Sequence, residues 1–242
     1  MSLADRRLTG FEALIRWNHA QRGLVPPATF IPIAEESGLI TDLGDWVTHA
    51  ACRQMRAWQD RLGPGTPLTL SINIAPAQLA HPDAIALIDR AVSNSGVDVH
   101  RMKLEITETA LAGDTDFLSH RLRSLRERGF QILIDDFGTG YSSLSRLHSF
   151  PIDGLKIDQS FIKPMLFDSD SAAIVRTIVA LGKALDLCLF AEGVEDDGSA
   201  TALSRLQCEF AQGYLFAKPL TLEKADALIA EMELTPAERQ CH

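Results

Sequence analysis

Two adjacent aspartates at the end of an apolar run are the first sign of chemistry in this chain. In QILIDDFGTGYSSL, residues 131–144, the run Ile132–Ile134 leads into Asp135 and Asp136, and Gly138 and Gly140 follow. Neighbours in an extended strand point to opposite faces, so an interior Asp-Asp pair would bury one carboxylate unpartnered, at a cost of several kcal/mol. At a strand end, glycines that tolerate positive φ can turn both carboxylates into one pocket, where like charges call for a bridging cation. Ser142 or Ser143 is then expected to cap the next short helix. Glu12, Asn73, Glu105 and Glu192 are further hard oxygen donors at the ends of other apolar runs. With no sulfur or imidazole among them, the set suits Mg²⁺ or Mn²⁺. Its five carboxylates and Lys156 come to zero charge with two divalent ions and stay negative with one. Sites of that two-ion kind activate water for attack on phosphorus. Taken singly, each residue has a plainer reading: Glu12 as a salt-bridge partner, Lys156 as the ion-pair partner of Asp158, Glu192 and Glu195 as loop charges. The paired aspartates resist such a reading.

These donors need a scaffold that gathers strand ends. Seven β-rich runs, at 11–17, 68–75, 102–107, 131–137, 154–158, 187–193 and 211–217, are each followed by a helix-compatible stretch. That alternation predicts a parallel sheet covered by helices, as a (β/α) barrel or, in competition, an open doubly wound sheet. Polar residues come late in the runs or share a face at period two: Glu12 with Leu14 and Arg16, Ser71 with Asn73, Glu105 with Thr107 and Glu108 just beyond, Lys156 with Asp158. Between strands, Leu43, Trp46, Val47, Ala50, Met55 and Trp58 recur at helical spacing, with Asp42 and Gly63 as expected caps and both tryptophans as core. The turn Glu195–Gly198 reads as a solvated helix start. GTGYSS lacks the third glycine of a dinucleotide fingerprint and the Gly-Lys-Ser/Thr of a P-loop, so neither nucleotide cradle is expected.

Composition narrows the class. A chain of 242 residues with 46% apolar content suits one large domain over 1–242, with 1–10 a partial lead-in whose MSL a cloning vector could supply and 234–242 a C-terminal tail. A net charge of −9 without a basic stripe argues against DNA as a partner. Four scattered cysteines and seven scattered histidines suggest neither a disulfide framework nor a zinc site, and reduced thiols are expected. No apolar run reaches membrane-spanning length and no signal peptide is recognisable, so a cytoplasmic location is expected for the domain.

From GFEALIRW through PATFIPIAEESGLI, SINIAP, LEITET, DDFGTGYSSL, LKIDQSFI, AEGVE and QGYLFAKPL, nearly the whole chain resembles the EAL-domain family of cyclic di-GMP phosphodiesterases. The family is named for the Glu-Ala-Leu that stands here at Glu12, Ala13 and Leu14. The resemblance implies a TIM-type (β/α) barrel, hydrolysis of cyclic di-GMP to linear pGpG, and two divalent cations, Mg²⁺ or Mn²⁺. It implies that Glu12, Asn73, Glu105 and Asp135 hold one metal, with Asp135 shared and Asp136 on the second. It also implies that Lys156 positions the attacking water or neutralises the phosphate, and that Glu192 serves as metal ligand and general base. Leu14, Arg16 and Gln212 are implied substrate contacts, with Asp158 and Glu195 as lesser members. Glu108 resembles the glutamate that anchors the DFGTGYSS loop near the family's dimer interface.

The family's first strand, with its Gln-Pro-Ile segment, is missing here, and Ala75 and Lys218 depart mildly from the common pattern. The resemblance further implies a homodimer, an upstream regulatory domain of GGDEF or sensor type, and a full-length protein that can be membrane-tethered. Two other functions compete. One is a catalytically inactive cyclic di-GMP receptor or interaction module, which the intact ligand set argues against. The other is an unrelated barrel that abstracts a proton with Lys156 beside one Mg²⁺, which the paired aspartates argue against.

Overall fold

A computed structural model describes residues 1–63, 65–140, 147 and 149–231. The expected capping serines 142 and 143 lie outside them, as does the 234–242 tail. The first strand is β1 (Gly10–Ala13), followed by an antiparallel hairpin of β2 (Trp17–His19) and β3 (Gly23–Val25). Then come β4 (Thr69–Asn73), β5 (Met102–Thr107), β6 (Gln131–Phe137), β7 (Gly154–Ile157), β8 (Cys188–Ala191) and β9 (Phe210–Ala211). All but the hairpin join one parallel sheet in the order β1-β4-β5-β6-β7-β8-β9. Helices separate the successive strands of this sheet, as parallel connections require, except between β6 and β7, where much of the connection lies outside the described residues. The sheet curls into the TIM-type arrangement with seven strands. Between β1 and β9 the described residues supply an antiparallel bridge from Ser2 to Phe210, flanked by Leu3 N–H to Glu209 O and Ala211 N–H to Met1 O, each 2.9 Å.

The strands are apolar because both faces are covered. In β5, Met102, Leu104 and Ile106 are buried, and the intervening Lys103 and Glu105 are buried as well. Alternation therefore carries one row to the helices and the other into the barrel. Register does the rest: Asn73 pairs with Glu105 and Thr107 with Asp135 across neighbouring strands, so polar residues arrive at one level.

Several local expectations change. The run 11–17 breaks after Ala13, and Trp17 opens the hairpin. The run 211–217 shrinks to Phe210–Ala211, and just beyond it Gly213 passes so close to the Val194 backbone that a Cβ there would collide with it. Helix Ile40–Leu62 buries Thr48, Ala51, Cys52, Met55 and Trp58 and ends at Gly63, whose φ of 84° suits glycine. It begins before Asp42, which sits in its first turn rather than capping it. Trp46 is 60% exposed and not core. The acidic turn does start a helix: Asp196 accepts from Ser199 N–H at 2.8 Å ahead of Asp197–Leu206. Cys52 and Cys208 are free buried thiols, whereas Cys188 is disulfide-bonded, against the expectation of reduced thiols throughout. Among the described residues no helix is long and apolar enough to cross a membrane.

Candidate active site

Each of the seven parallel strands delivers one polar side chain to the same end of the barrel. Glu12 comes from β1, Asn73 from the end of β4, Glu105 from β5, Asp135 from β6 and Lys156 from β7. Glu192 and Gln212 follow directly on β8 and β9. This is the carboxyl end of the strands, where barrels build their sites.

Lys156 is the hub. Its Nζ lies 2.6 Å from Glu105 Oε2, 2.7 Å from Glu192 Oε1, 3.1 Å from Asp135 Oδ1 and 3.4 Å from Glu12 Oε2. Lys156 and Glu105 are each 2% exposed. Two amides complete the ring. Gln212 Nε2 donates at 2.8 Å to both Glu12 Oε2 and Glu192 Oε1, and Asn73 Nδ2 donates at 2.8 Å to Glu12 Oε1. The amide oxygen of Asn73 is left as a hard acceptor.

The adjacent aspartates reach one pocket through a distortion of β6 itself. Pairing with β7 shifts register between Ile134 and Phe137, and Asp136 adopts a φ of 54°. Aspartate is one of the few residues that visit this left-handed region readily. The turn was expected to rest on Gly138 and Gly140. Gly138 does have positive φ, at 103°, but Gly140 does not. A Cβ on Gly140 would stand 3.0 Å from the Glu108 carboxylate, so that glycine permits close approach rather than an unusual backbone. Glu108 Oε2 accepts from Gly138 N–H at 2.8 Å and Gly140 N–H at 3.1 Å, which ties the start of the loop to the end of β5.

Five carboxylates around one ammonium leave the cluster short of positive charge. Burial opposes the charge on Lys156, but Glu105, Glu12, Glu192 and Asp135 outweigh it and raise the ammonium well above its ordinary value. The acids behave oppositely. Burial pushes Glu105 up to about 8 and Glu192 up to about 7; neighbouring carboxylates add to this, and Lys156 offsets only part of it. Burial, Asp135 and Asp158 push Asp136 up to about 6. For Glu12, burial is outweighed by Lys156, Gln212 and Asn73, which hold its carboxyl below the ordinary range. Asp135, Asp136 and Glu192 each offer an oxygen within 4.8 Å of the others. A divalent cation fits that donor set in chemistry and spacing.

The remaining residues named from sequence lie around this centre. A cleft of about 1040 Å³ is lined by Glu12, Leu14, Arg16, Asp135, Glu192 and Gln212 among others, and it runs on between helix Ile40–Leu62 and helix Leu222–Glu231. Leu14 and Arg16 are exposed at its rim. Asp158 caps the short helix Gln159–Ile162 by accepting from Ser160 N–H at 2.9 Å, rather than pairing with Lys156. Glu195 pairs with Lys163 at 3.0 Å, and both line the cleft. Lys163 was not singled out from sequence. A lone lysine in a short helix carries no local signal, and only the fold brings it to Glu195.

The EAL domain family model matches residues 1–219. An uncharacterised signalling protein of Caulobacter vibrioides is 42% identical over 220 residues, covering 91% of this chain and 26% of the relative. The bifunctional diguanylate cyclase/cyclic di-GMP phosphodiesterase MucR of Pseudomonas aeruginosa is 42% identical over 223 residues, 92% of this chain and 32% of MucR. Among solved structures, the MucR phosphodiesterase in complex with c-di-GMP matches with a TM-score of 0.85 at 42% identity, covering 88% of this chain and 86% of that one. The EAL enzyme Bd1971, bound to cAMP and cyclic di-GMP, matches with a TM-score of 0.90 at 37% identity, covering 95% of this chain and 62% of that one. The chain spans 26 to 32% of the length of these two curated relatives.

Proposed function

This chain belongs to the EAL-domain family, and on that premise we propose that it is a metal-dependent phosphodiesterase that hydrolyses cyclic di-GMP to linear pGpG. The observation that carries the reading is the convergence of one side chain from each of seven strands on an acidic cluster that lacks enough positive charge of its own. In this reading Glu12, Asn73, Glu105 and Asp135 hold one Mg²⁺ or Mn²⁺, and Asp136 and Glu192 hold a second with Asp135 shared. Bound there, the two ions would supply a polarised phosphodiester and a water acidic enough to be deprotonated near neutral pH.

The chain's own groups perform the remaining tasks. Glu192, with its carboxyl near neutrality, is the proton acceptor for the attacking water. Gln212 fixes its orientation through its contact at Oε1. The Lys156 ammonium offsets charge gathering on the phosphate. Arg16 at the rim takes a phosphate, Leu14 packs against the ligand and Glu195 borders it, while Asp158, next to the cleft-lining Gln159, is a lesser member of the set.

The relatives are three to four times longer than the matched segment, which supports an upstream regulatory domain in the full-length protein. Homodimerisation, a cytoplasmic location for the domain and tethering of the whole protein to a membrane belong to the same proposal. The test is chromatographic. Purified protein with Mg²⁺ or Mn²⁺ is expected to convert cyclic di-GMP to pGpG, and chelation of the ions is expected to stop it. Nucleotide binding without product would instead identify a receptor.

A further inference from the structure

We propose that Lys156 is the resident counter-ion of the site, competing with divalent cations for the same carboxylate oxygens and so setting the cation concentration at which the site fills. The inference rests on the metal-dependent reading above. The ammonium touches oxygens from four strands, on Glu12, Glu105, Asp135 and Glu192, all between 2.6 and 3.4 Å. An arrangement of carboxylate oxygens around one hard cation is what a divalent metal would also require. Without the ammonium, these four acids would repel one another at close quarters. With it they are held facing inward before any ion arrives.

An incoming divalent cation needs the oxygens that Lys156 is using, and it meets a positive charge a few ångströms away. Both effects weaken its binding. Lysine suits the part because it is a compact charge on a flexible four-carbon stem, which lets the ammonium withdraw while β7 stays in place. The neutral contacts do not depend on it. Gln212 still joins Glu12 to Glu192 and Asn73 still holds Glu12, so the donors keep their aim as the ammonium leaves. A monovalent cation offers the acids no more charge than Lys156 already does. The device therefore selects for divalent ions.

The test is Mn²⁺ binding to the full chain in K⁺ buffer, read by calorimetry or by the EPR signal of free Mn²⁺, for wild type, Lys156→Met and Lys156→Gln. Both variants are expected to bind Mn²⁺ more tightly, by roughly tenfold or more. Their melting temperatures without metal should fall, and saturating Mn²⁺ should raise them by more than it raises wild type. In wild type, the ¹⁵N–¹H signal of the buried Lys156 ammonium should shift or vanish along the Mg²⁺ binding isotherm. Unchanged or weaker Mn²⁺ binding by a folded variant overturns the inference, as does a Lys156 signal that ignores bound Mg²⁺. If neither variant folds, the wild-type titration decides alone. Failure of wild type to bind either ion overturns the metal-dependent reading itself, whereas normal wild-type binding with no gain in the variants overturns only the counter-ion role.

Discussion

The backbone N–H of Asp136 donates to Oδ1 of Asp135 at 3.0 Å, so the first aspartate helps fold the backbone that presents the second. The two acids have unequal surroundings as a result. Asp135 is buried against Lys156, while Asp136 is half-buried and sits in the left-handed region.

Asp135→Asn keeps the size of the side chain and an oxygen for the Asp136 N–H, but it removes a charge shared by both proposed ion positions. Turnover of cyclic di-GMP is expected to fall by roughly a thousandfold or more, with the melting temperature little changed. Chromatography of pGpG alongside a thermal melt checks both. A variant retaining more than about a tenth of wild-type turnover would remove Asp135 from the chemistry.

Glu108→Gln weakens two charge-assisted hydrogen bonds to Gly138 and Gly140. Such bonds contribute about 1.5–3 kcal/mol each. Faster amide hydrogen exchange at residues 138–140 is expected, with turnover lower by roughly tenfold as the backbone beyond Asp136 loosens. Unaltered exchange at those amides would show that the anchor is dispensable.

Acidity links the cluster to stability. Glu105, Glu192 and Asp136 are pushed up from the ordinary carboxylate range to about 8, about 7 and about 6. These three groups hold more protons in the folded protein than in the unfolded chain from about pH 4 to about 8, so their contribution to stability falls as pH rises; burial lowers the Met1 ammonium to about 5 and Lys103 to about 8, which opposes the trend towards its upper end. Chelator-treated protein should melt at progressively lower temperature from about pH 5 to about pH 7, and Mg²⁺ should flatten the trend. Ion binding near pH 7 should also release protons. Calorimetry in two buffers of different ionisation heat measures that release, and a flat melting profile without metal would contradict the assignment.

Gly213→Ala tests the turn that carries Gln212. At a φ of 153°, with the Val194 backbone against it, the position has no room for a methyl group. Unfolding in urea should show a loss of about 2–4 kcal/mol. Alanine tolerated without loss would mean that the turn can relax away from Val194.

The strands were legible because a parallel sheet covered on both faces spells each strand as an apolar run, and Leu104 or Ile134 sits where such a run predicts. Their alternation with helices left a barrel and an open doubly wound sheet in competition, and the family resemblance pointed to the TIM-type barrel. Trp46 could not be placed, because helical spacing marks a stripe without marking which end of it outruns the core. The hairpin from Trp17 to Val25 went unseen because its few polar residues lack period-two alternation. For the site, the donors at the strand ends were picked out correctly as neighbours in space, since one barrel end collects them all. Their partners were not. The plainer reading of Lys156 paired it with Asp158 two residues away, yet it faces acids 51 and 144 residues distant while Asp158 caps a helix. Residue spacing describes a strand; it is silent about what register brings across the sheet.

The hydrogen bond between Gln212 and Glu12 spans 200 positions of chain, and Met1 meets Ala211 across a similar gap. During synthesis, then, the acidic ring stays unfinished until almost the last strand has left the ribosome. Closing so long a loop is entropically costly and slow relative to local contacts. Until then Glu12 and Glu192 lack the amide that joins them. A nascent fragment that ends before Gln212 carries every acid of the cluster without the side chain that draws its two ends together.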